Sequence, residues 1–295
     1  MDRLEAMALL VKVSELGSMS AVARALNTPL TTVSRNIAEL ENRLGVRLLT
    51  RTTRKLTLTD AGVDYVAAAQ RILEEVENAE RRATGEYQEP KGELAISAPT
   101  MFGRLYVLPV VTEFLARYPQ ITLRLLLSDR NVDLIGEHID LAVRIGQLPD
   151  SSMVATRAGE MRIVTCASPA LLEKYGPPAR PEALAALPYI RIESPMPFSY
   201  WRSQEQRPAL SVTNPETAAD AARLGAGVAR LLHYQAIEGL RRGELSLILD
   251  AFEPPPVPVH LLYASRDLTP LKLRKFIDFA APALRLALQQ IARTA

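Results

Sequence analysis

Apolar positions in the first sixty residues recur at helical spacing in three short blocks. Leu4, Met7, Ala8 and Val11, with Ser14 or Glu15 next in the series, predict a first helix whose apolar members face inward, ended by Gly17-Ser18. Ser18 or Ser20 can cap a second helix that turns Val22, Ala23 and Leu26 inward, and Asn27-Thr28 makes a tight turn. Thr28 as N-cap and Pro29 at the first helical position start a third helix over 29–44. It buries Val33, Ile37, Leu40 and Leu44 before Gly45 stops it. Residues 46–58 (VRLLTRTTRKLTL) alternate loosely and predict a two-stranded wing with the polar RTTR at its tip. Thr59-Asp60 then caps a helix reaching about residue 86, on the order of 40 Å long. Along it Val66, Ala69, Leu73 and Val76 alternate three- and four-residue steps, the seam of a short coiled coil. A helix of that length with one apolar stripe needs a partner.

Beyond Glu89-Pro90-Lys91-Gly92 the pattern becomes alternating strands and helices. Strands are expected at 94–97, 121–128, 139–146, 161–168, 188–192, 209–213, 227–233, 245–249 and 259–265. Helices are expected at 104–118 (Leu105, Leu108, Val111 and Leu115 inside), 132–137, 169–175, 215–224 and 270–293. Repeated βα units predict an α/β domain with mainly parallel sheets, long enough for two lobes around a cleft.

At 295 residues the chain exceeds one ordinary core, so two or three domains are expected. The single cysteine, Cys166, excludes an internal disulfide and fits a reducing cytoplasm. No apolar run is long enough to span a membrane, and Glu5, Lys12 and Glu15 interrupt the N-terminal apolar face in a way that argues against a signal peptide. A net charge of +2 carries no nucleic-acid signal, but its distribution does. Nine Lys and Arg against five acidic residues leave 1–59 at +4, and the remainder near −2. Phosphate contact therefore belongs to the N-terminal part.

Two short helices joined by a tight turn and followed by a basic wing suit DNA. In that arrangement the second helix enters the major groove with its first turns against base edges. Thr31, Thr32, Ser34, Arg35 and Asn36 lie on its polar face: Thr methyls can touch thymine, and Arg can pair with guanine. Arg51, Thr52 and Arg54 at the wing suit backbone or minor-groove contact. A solvated polar helix in a small helical domain would show the same pattern.

The stretch 7–62 resembles the winged helix-turn-helix of the LysR-type transcriptional regulators. The matching residues are Leu9, Leu10, Gly17-Ser18, Ala21, Ala23, Leu26, Val33-Ser34, Ile37, Leu40-Glu41, Leu44-Gly45, Leu48, Arg51, Leu58-Thr59 and Ala61-Gly62, in order and without a gap. Where many members carry Ser-Gln, this chain has Pro29-Leu30, similar to a subgroup whose recognition helix starts Pro-x-(Ser/Thr)-Thr-Val-Ser-Arg. The resemblance implies a winged helix-turn-helix over 1–59 and a long linker helix over 60–88, dimerising through Val66, Ala69, Leu73 and Val76. It further implies a two-lobed α/β effector domain, periplasmic-binding-protein-like, over 89–295. Lobe I would be 92–161 with 266–295, and lobe II 162–265. Implied partners are double-stranded promoter DNA, a small-molecule effector, further copies of the chain as a homodimer or homotetramer, and RNA polymerase. No cofactor, metal or membrane is implied.

In such sheets ligands sit at the carboxyl ends of strands, where helix N-termini offer N–H groups to an anion. Ser97, Pro99, Thr100 and Met101 lie where the first strand meets its helix, with Thr100 either anion-facing or a simple cap. Ser128 is a cleft or turn residue, Arg144 a carboxylate partner or a structural cation, and Ala167 and Asn214 sit at strand ends of the other lobe. Gly225 and Gly227 read as turn glycines. Catalysis is poorly supported. His138, His233 and His260 are scattered, Cys166 has no second cysteine, and no nucleophile or phosphate-loop motif occurs. Trp201, with Phe198 and Tyr200, reads as loop packing. The expected function is effector-controlled regulation of transcription. The alternative is a solute-binding protein or enzyme with a helical appendage.

Overall fold

The computed structural model describes residues 2–51, 56–83, 89–130, 132–148, 153–193, 207–264 and 269–294, with the side chains at 51, 74, 75, 78 and 81–83 outside that description. The chain forms two compact units, Met1–Gln88 and Glu89–Ala295.

In the first unit, α1 (Arg3–Leu16), α2 (Met19–Ala25) and α3 (Leu30–Leu44) precede the antiparallel hairpin of β1 (Leu49–Arg51) and β2 (Leu56–Leu58), and α4 (Asp60–Ala83) follows. Gly17 closes α1 in the left-handed region at φ 61°, and the Ser18 hydroxyl accepts from the Ala21 N–H to cap α2. α1 is apolar nearly all round, so its period does not choose a face: Ala6, Met7, Leu9, Leu10 and Val13 are buried, while Ala8 is exposed. Leu26 and Leu44 are exposed, not inward as expected, because each ends its helix beyond the core. Pro29 itself is the N-cap of α3, and the Thr28 hydroxyl bonds the Leu26 carbonyl instead of capping.

The first half of α4 belongs to this core. Val66 and Ala69 are 7% and 1% exposed, and Val66 lies in a cluster with Leu10, Val22, Ile37 and Leu48. The Thr59 hydroxyl caps α4 through the Gly62 N–H and donates to the Arg47 carbonyl, while the Thr59 N–H donates to the Leu48 carbonyl. α4 therefore starts hard against the wing: a Cβ on Gly62 would lie 2.0 Å from the Leu48 oxygen.

In the second unit, a five-stranded sheet has the order β4-β3-β5-β12-β6. Its strands are β3 (Gly92–Ala98), β4 (Ile121–Leu127), β5 (Leu141–Ile145), β6 (Met153–Met161) and β12 (Val257–Ala264). β3 pairs in parallel with β4 and β5, but β12 runs antiparallel between β5 and β6. The second lobe has β7 (Ile163–Ala167) between the antiparallel β10 (Ala229–Leu232) and β11 (Ser246–Ile248), with the parallel pair β8 (Ile190–Ile192) and β9 (Leu210–Val212) beside it. The sheets are thus mixed rather than mainly parallel, because strands that return from one lobe to the other must reverse direction. For the same reason β12 joins the first lobe's sheet, although 162–265 was expected to be lobe II throughout.

The helices around these sheets are α5 (Thr100–Phe102), continued by a π-helical turn (Gly103–Val107) into α6 (Leu108–Arg117), then α7 (Pro169–Tyr175), α8 (Pro215–Arg223), α9 (His233–Arg241) and α10 (Leu271–Arg293). The π turn carries an extra residue. It rotates the buried face onto Val107, Val110, Val111 and Phe114, so that Leu105 and Leu108, expected inside, are exposed. Segment 132–137 is a hydrogen-bonded turn, not a helix, with His138 at φ 55°. β6 and α9 had no counterpart in the periodicity. Among the described residues no single helix is long and apolar enough to cross a membrane; the bent pair α1–α2, which passes on length and composition together, supplies much of the first unit's core.

Gly62→Ala is expected to destabilise the first unit by about 1–3 kcal/mol through overpacking against backbone. Gly17→Ala, in open space at positive φ, should cost about 1 kcal/mol. Thermal unfolding of the two variants checks the ordering.

Candidate DNA interface and effector cleft

The polar face of α3 is presented as the helix-turn-helix reading requires. Thr31 and Arg35 are exposed, and Thr32, Ser34 and Asn36 are half-buried. Val33, Ile37 and Leu40, on the opposite side, are buried, which fixes the helix roll. Among the described residues Arg35 pairs with Glu39 at 3.7 Å, an exposed i,i+4 pair too weak to hold it back from a base. Thr52 and Arg54 lie outside the described residues, as does the Arg51 side chain; the Arg51 backbone pairs with Leu56, the pair of the hairpin next to residues 52–55.

One residue that matters here was read only as part of the family motif. The Glu41 carboxylate accepts from the Leu48 and Leu49 N–H groups at 2.8 and 3.0 Å, joining the recognition helix to the first wing strand. Those amides precede or begin the short strand β1, and a charged acceptor binds them more strongly than a neutral one would. The signal in the sequence was a carboxylate on the inner half of α3 followed by a wing too short to satisfy its own backbone.

In the second unit, Ser97 is buried at the end of β3, and Pro99, Thr100 and Met101 follow it into α5. Asp129 stands opposite, and its carboxylate accepts from the Thr100 N–H at 3.0 Å. Thr100 is thus at the start of the helix as expected, but a carboxylate of this chain takes its amide. Ser128 is a turn residue whose hydroxyl accepts from the Arg130 N–H. Arg144 is structural: Nη1 and Nη2 donate to the Arg130 and Val132 carbonyls at 3.1 Å each, and burial lowers its pKa. That commitment removes Arg144 from the effector residues. Ala167 is removed as well, being fully buried between β10 and β11 with no face on a cleft. Asn214 caps α8 through the Thr217 N–H.

Two contacts between lobes come from residues the sequence reading passed over. Arg104 in the π turn pairs with Glu216 in the first turn of α8. Tyr234, at the start of α9, packs edge-on against Phe102 and Tyr106 with centroids 5.3 and 5.9 Å apart. Burial raises the pKa of both tyrosines, so their hydroxyls stay protonated as hydrogen-bond donors. The Thr100 N–H, Asp129, Arg104 and Glu216 make a polar rim where the lobes meet, backed by these aromatic rings.

The remaining candidates are inert or outside. Cys166 is fully buried in β7, and burial pushes its thiol up to about 12, leaving no thiolate near neutral pH. Gly225 is a turn glycine at φ 80°. Trp201, Phe198 and Tyr200 lie outside the described residues. Among the described residues no group of His, Cys, Asp and Glu could hold a metal ion.

The profile of the "bacterial regulatory helix-turn-helix protein, lysR family" matches residues 4–63, and that of the "LysR substrate binding domain" matches 87–285. The chain belongs to the LysR family. A transcriptional regulator of Xanthomonas campestris pv. campestris is 37% identical over 290 residues, 94% of this chain and 84% of that one. The transcriptional activator AaeR of Escherichia coli is 31% identical, covering 94% of this chain and 93% of its own. Among solved structures, the LysR-type regulator CrgA of Neisseria meningitidis is 31% identical with a TM-score of 0.60, over 95% of this chain and 98% of that one. This LysR-type regulator is therefore a DNA-binding transcription factor with an effector-binding domain, and not an enzyme. Proteins of this family bind DNA and small-molecule effectors and form oligomers.

Arg35→Ala should weaken binding to the specific operator by about 1–3 kcal/mol with little effect on random DNA, read by fluorescence anisotropy at fixed salt. Glu41→Ala leaves two wing amides without their acceptor and should lower the stability of the first unit by about 1–3 kcal/mol. Iodoacetamide should label Cys166 only after denaturation, as mass spectrometry would detect.

Proposed function

We propose that this regulator binds a pseudo-palindromic promoter site through paired α3 helices, with Thr31, Thr32, Ser34, Arg35 and Asn36 facing the bases. The wing residues Arg51, Thr52 and Arg54 take the backbone. A small metabolite between the lobes of 89–295 changes the geometry of the subunits, and the regulator acts on RNA polymerase in the cytoplasm. The coupling requires different affinities for the effector in two arrangements of the lobes.

The effector is proposed to be anionic. The observation that supports this is the Asp129 carboxylate on the Thr100 N–H, which shows that this helix start accepts a carboxylate. An effector carboxylate would exchange with Asp129, and Arg104 would be drawn from Glu216. The same geometry gives Asp129 the role of competitor. Calorimetry on a panel of small mono- and dicarboxylates tests it: Asp129→Ala should tighten the binding of the active carboxylate severalfold. A ligand that is cationic, or that binds more weakly to Asp129→Ala, would sink the anion reading.

Dimerisation is proposed through the outer part of α4. Val66 and Ala69 are spent inside their own unit, which leaves the half-buried Leu73 and Val76 with the exposed Ile72 to meet a second copy. Leu73→Glu with Val76→Glu should dissociate the oligomer, seen by light scattering, without moving the melting temperature of the first unit. Val66→Glu should instead unfold it.

A further inference from the structure

A cavity of about 600 Å³ lies away from the polar rim between the lobes, on the side where the chain passes from one lobe to the other. Its walls are the end of β6, the first connection between lobes at Arg162, Pro256 of the returning connection, and the last turns of α10. The volume is that of a site for a small organic molecule. Residues 157–162 line it consecutively, along the free edge of β6. A β-bulge lies in this stretch: β12 shifts register between Val259 and His260, leaving Ala158 as the extra residue of β6. Bulges of this kind re-aim side chains beside binding sites.

His233 forms part of the lining, and its burial is complete. Among the described residues neither ring nitrogen has a hydrogen-bond partner, and burial lowers the pKa of the ring, which favours its neutral form. A neutral imidazole carries one donor and one acceptor, and leaving both unmet costs stability unless a ligand meets them. Its own backbone N–H donates to the Arg162 carbonyl, so the ring is anchored to the first connection. Charge at the mouth is positive. Arg157 is matched by Glu160 and Arg162 by Glu253, but Arg285 meets no carboxylate among the described residues, only the Arg157 carbonyl at 3.5 Å. Leu288 and Ile291 of α10 supply the apolar wall.

We propose that this cavity is a second small-molecule site, separate from the cleft at Thr100 and Asp129, that takes a monocarboxylate with a short apolar tail. The carboxylate pairs with Arg285, the tail lies on Leu288 and Ile291, and the ring of His233 forms the floor. Because the site touches both connections, its occupant favours whichever lobe arrangement holds it more tightly.

The test uses octanoate and the full-length protein, with isothermal calorimetry and displacement of anilinonaphthalene sulfonate as readouts. Octanoate is expected to bind saturably, and Arg285→Gln should weaken it at least tenfold. Ala292→Phe, at an exposed lining position, should fill the mouth and abolish binding with the melting temperature unchanged. Asp129→Ala, in the interlobe cleft, should leave octanoate binding unchanged. In ring-labelled protein the His233 resonances should shift on saturation. No saturable binding, or binding tightened in Asp129→Ala and kept in Arg285→Gln and Ala292→Phe, overturns the proposal. Failure of this site leaves the interlobe cleft reading standing, since that one rests on Asp129 and its own variants.

Discussion

One ion pair fastens together the two connections between the lobes of the effector unit. The chain passes between its lobes twice, first at Arg162 between β6 and β7 and then along the segment that leads into β12. Arg162 grips Glu253 with two parallel hydrogen bonds, 2.9 and 2.8 Å long, so the outgoing and returning passages are fastened to each other. A guanidinium fork is suited to this, because two bonds in one plane fix direction as well as distance. The pair is two-thirds or more buried on each side, and its hydrogen bonds raise the Arg162 pKa, so the charge is never lost in the physiological range. The Arg162 carbonyl also receives the first N–H of α9. The two connections are therefore fastened to each other near Arg162, while Arg104 and Glu216 join the lobes at the rim.

The DNA-binding unit depends on two closures of a different sort. Glu41 ties α3 to the wing through charge, and Gly62 lets α4 approach the same segment through the absence of a side chain. Both meet at Leu48 and Leu49, the first of which is buried and contributes apolar area while its backbone serves both neighbours. Recognition helix, wing and linker are thus positioned from one short stretch of backbone.

Some parts of this architecture that showed in the sequence have one wet face and one dry face. α3, with Val33, Ile37 and Leu40 on one side, is of this kind, whereas β3 and β5 showed as short continuous apolar runs, buried on both faces. What escaped has no such contrast. β6 is an edge strand, mostly exposed or half-exposed, and α9 is buried from His233 to Ile237, so neither has a period to detect. The π turn defeats periodicity in another way, by slipping the helical phase in the middle of a pattern. At the site, Asn214 was legible because a cap is local, whereas Asp129, Glu216 and Tyr234 act on residues far away in the chain. Ala167 is enclosed and Arg144 takes the structural one of its two roles; position at a strand end does not reveal whether a neighbour has already taken the side chain.

The burial of Val66 and Ala69 bears on how this protein can be divided. The family's helix-turn-helix profile stops at residue 63, yet the hydrophobic core of the unit continues into the following two turns of α4. A fragment cut where the motif ends would open one wall of that core to water and expose Leu10 and Ile37 behind it. A fragment that keeps this core closed carries α4 past Ala69, and so brings the base of its own linker with it.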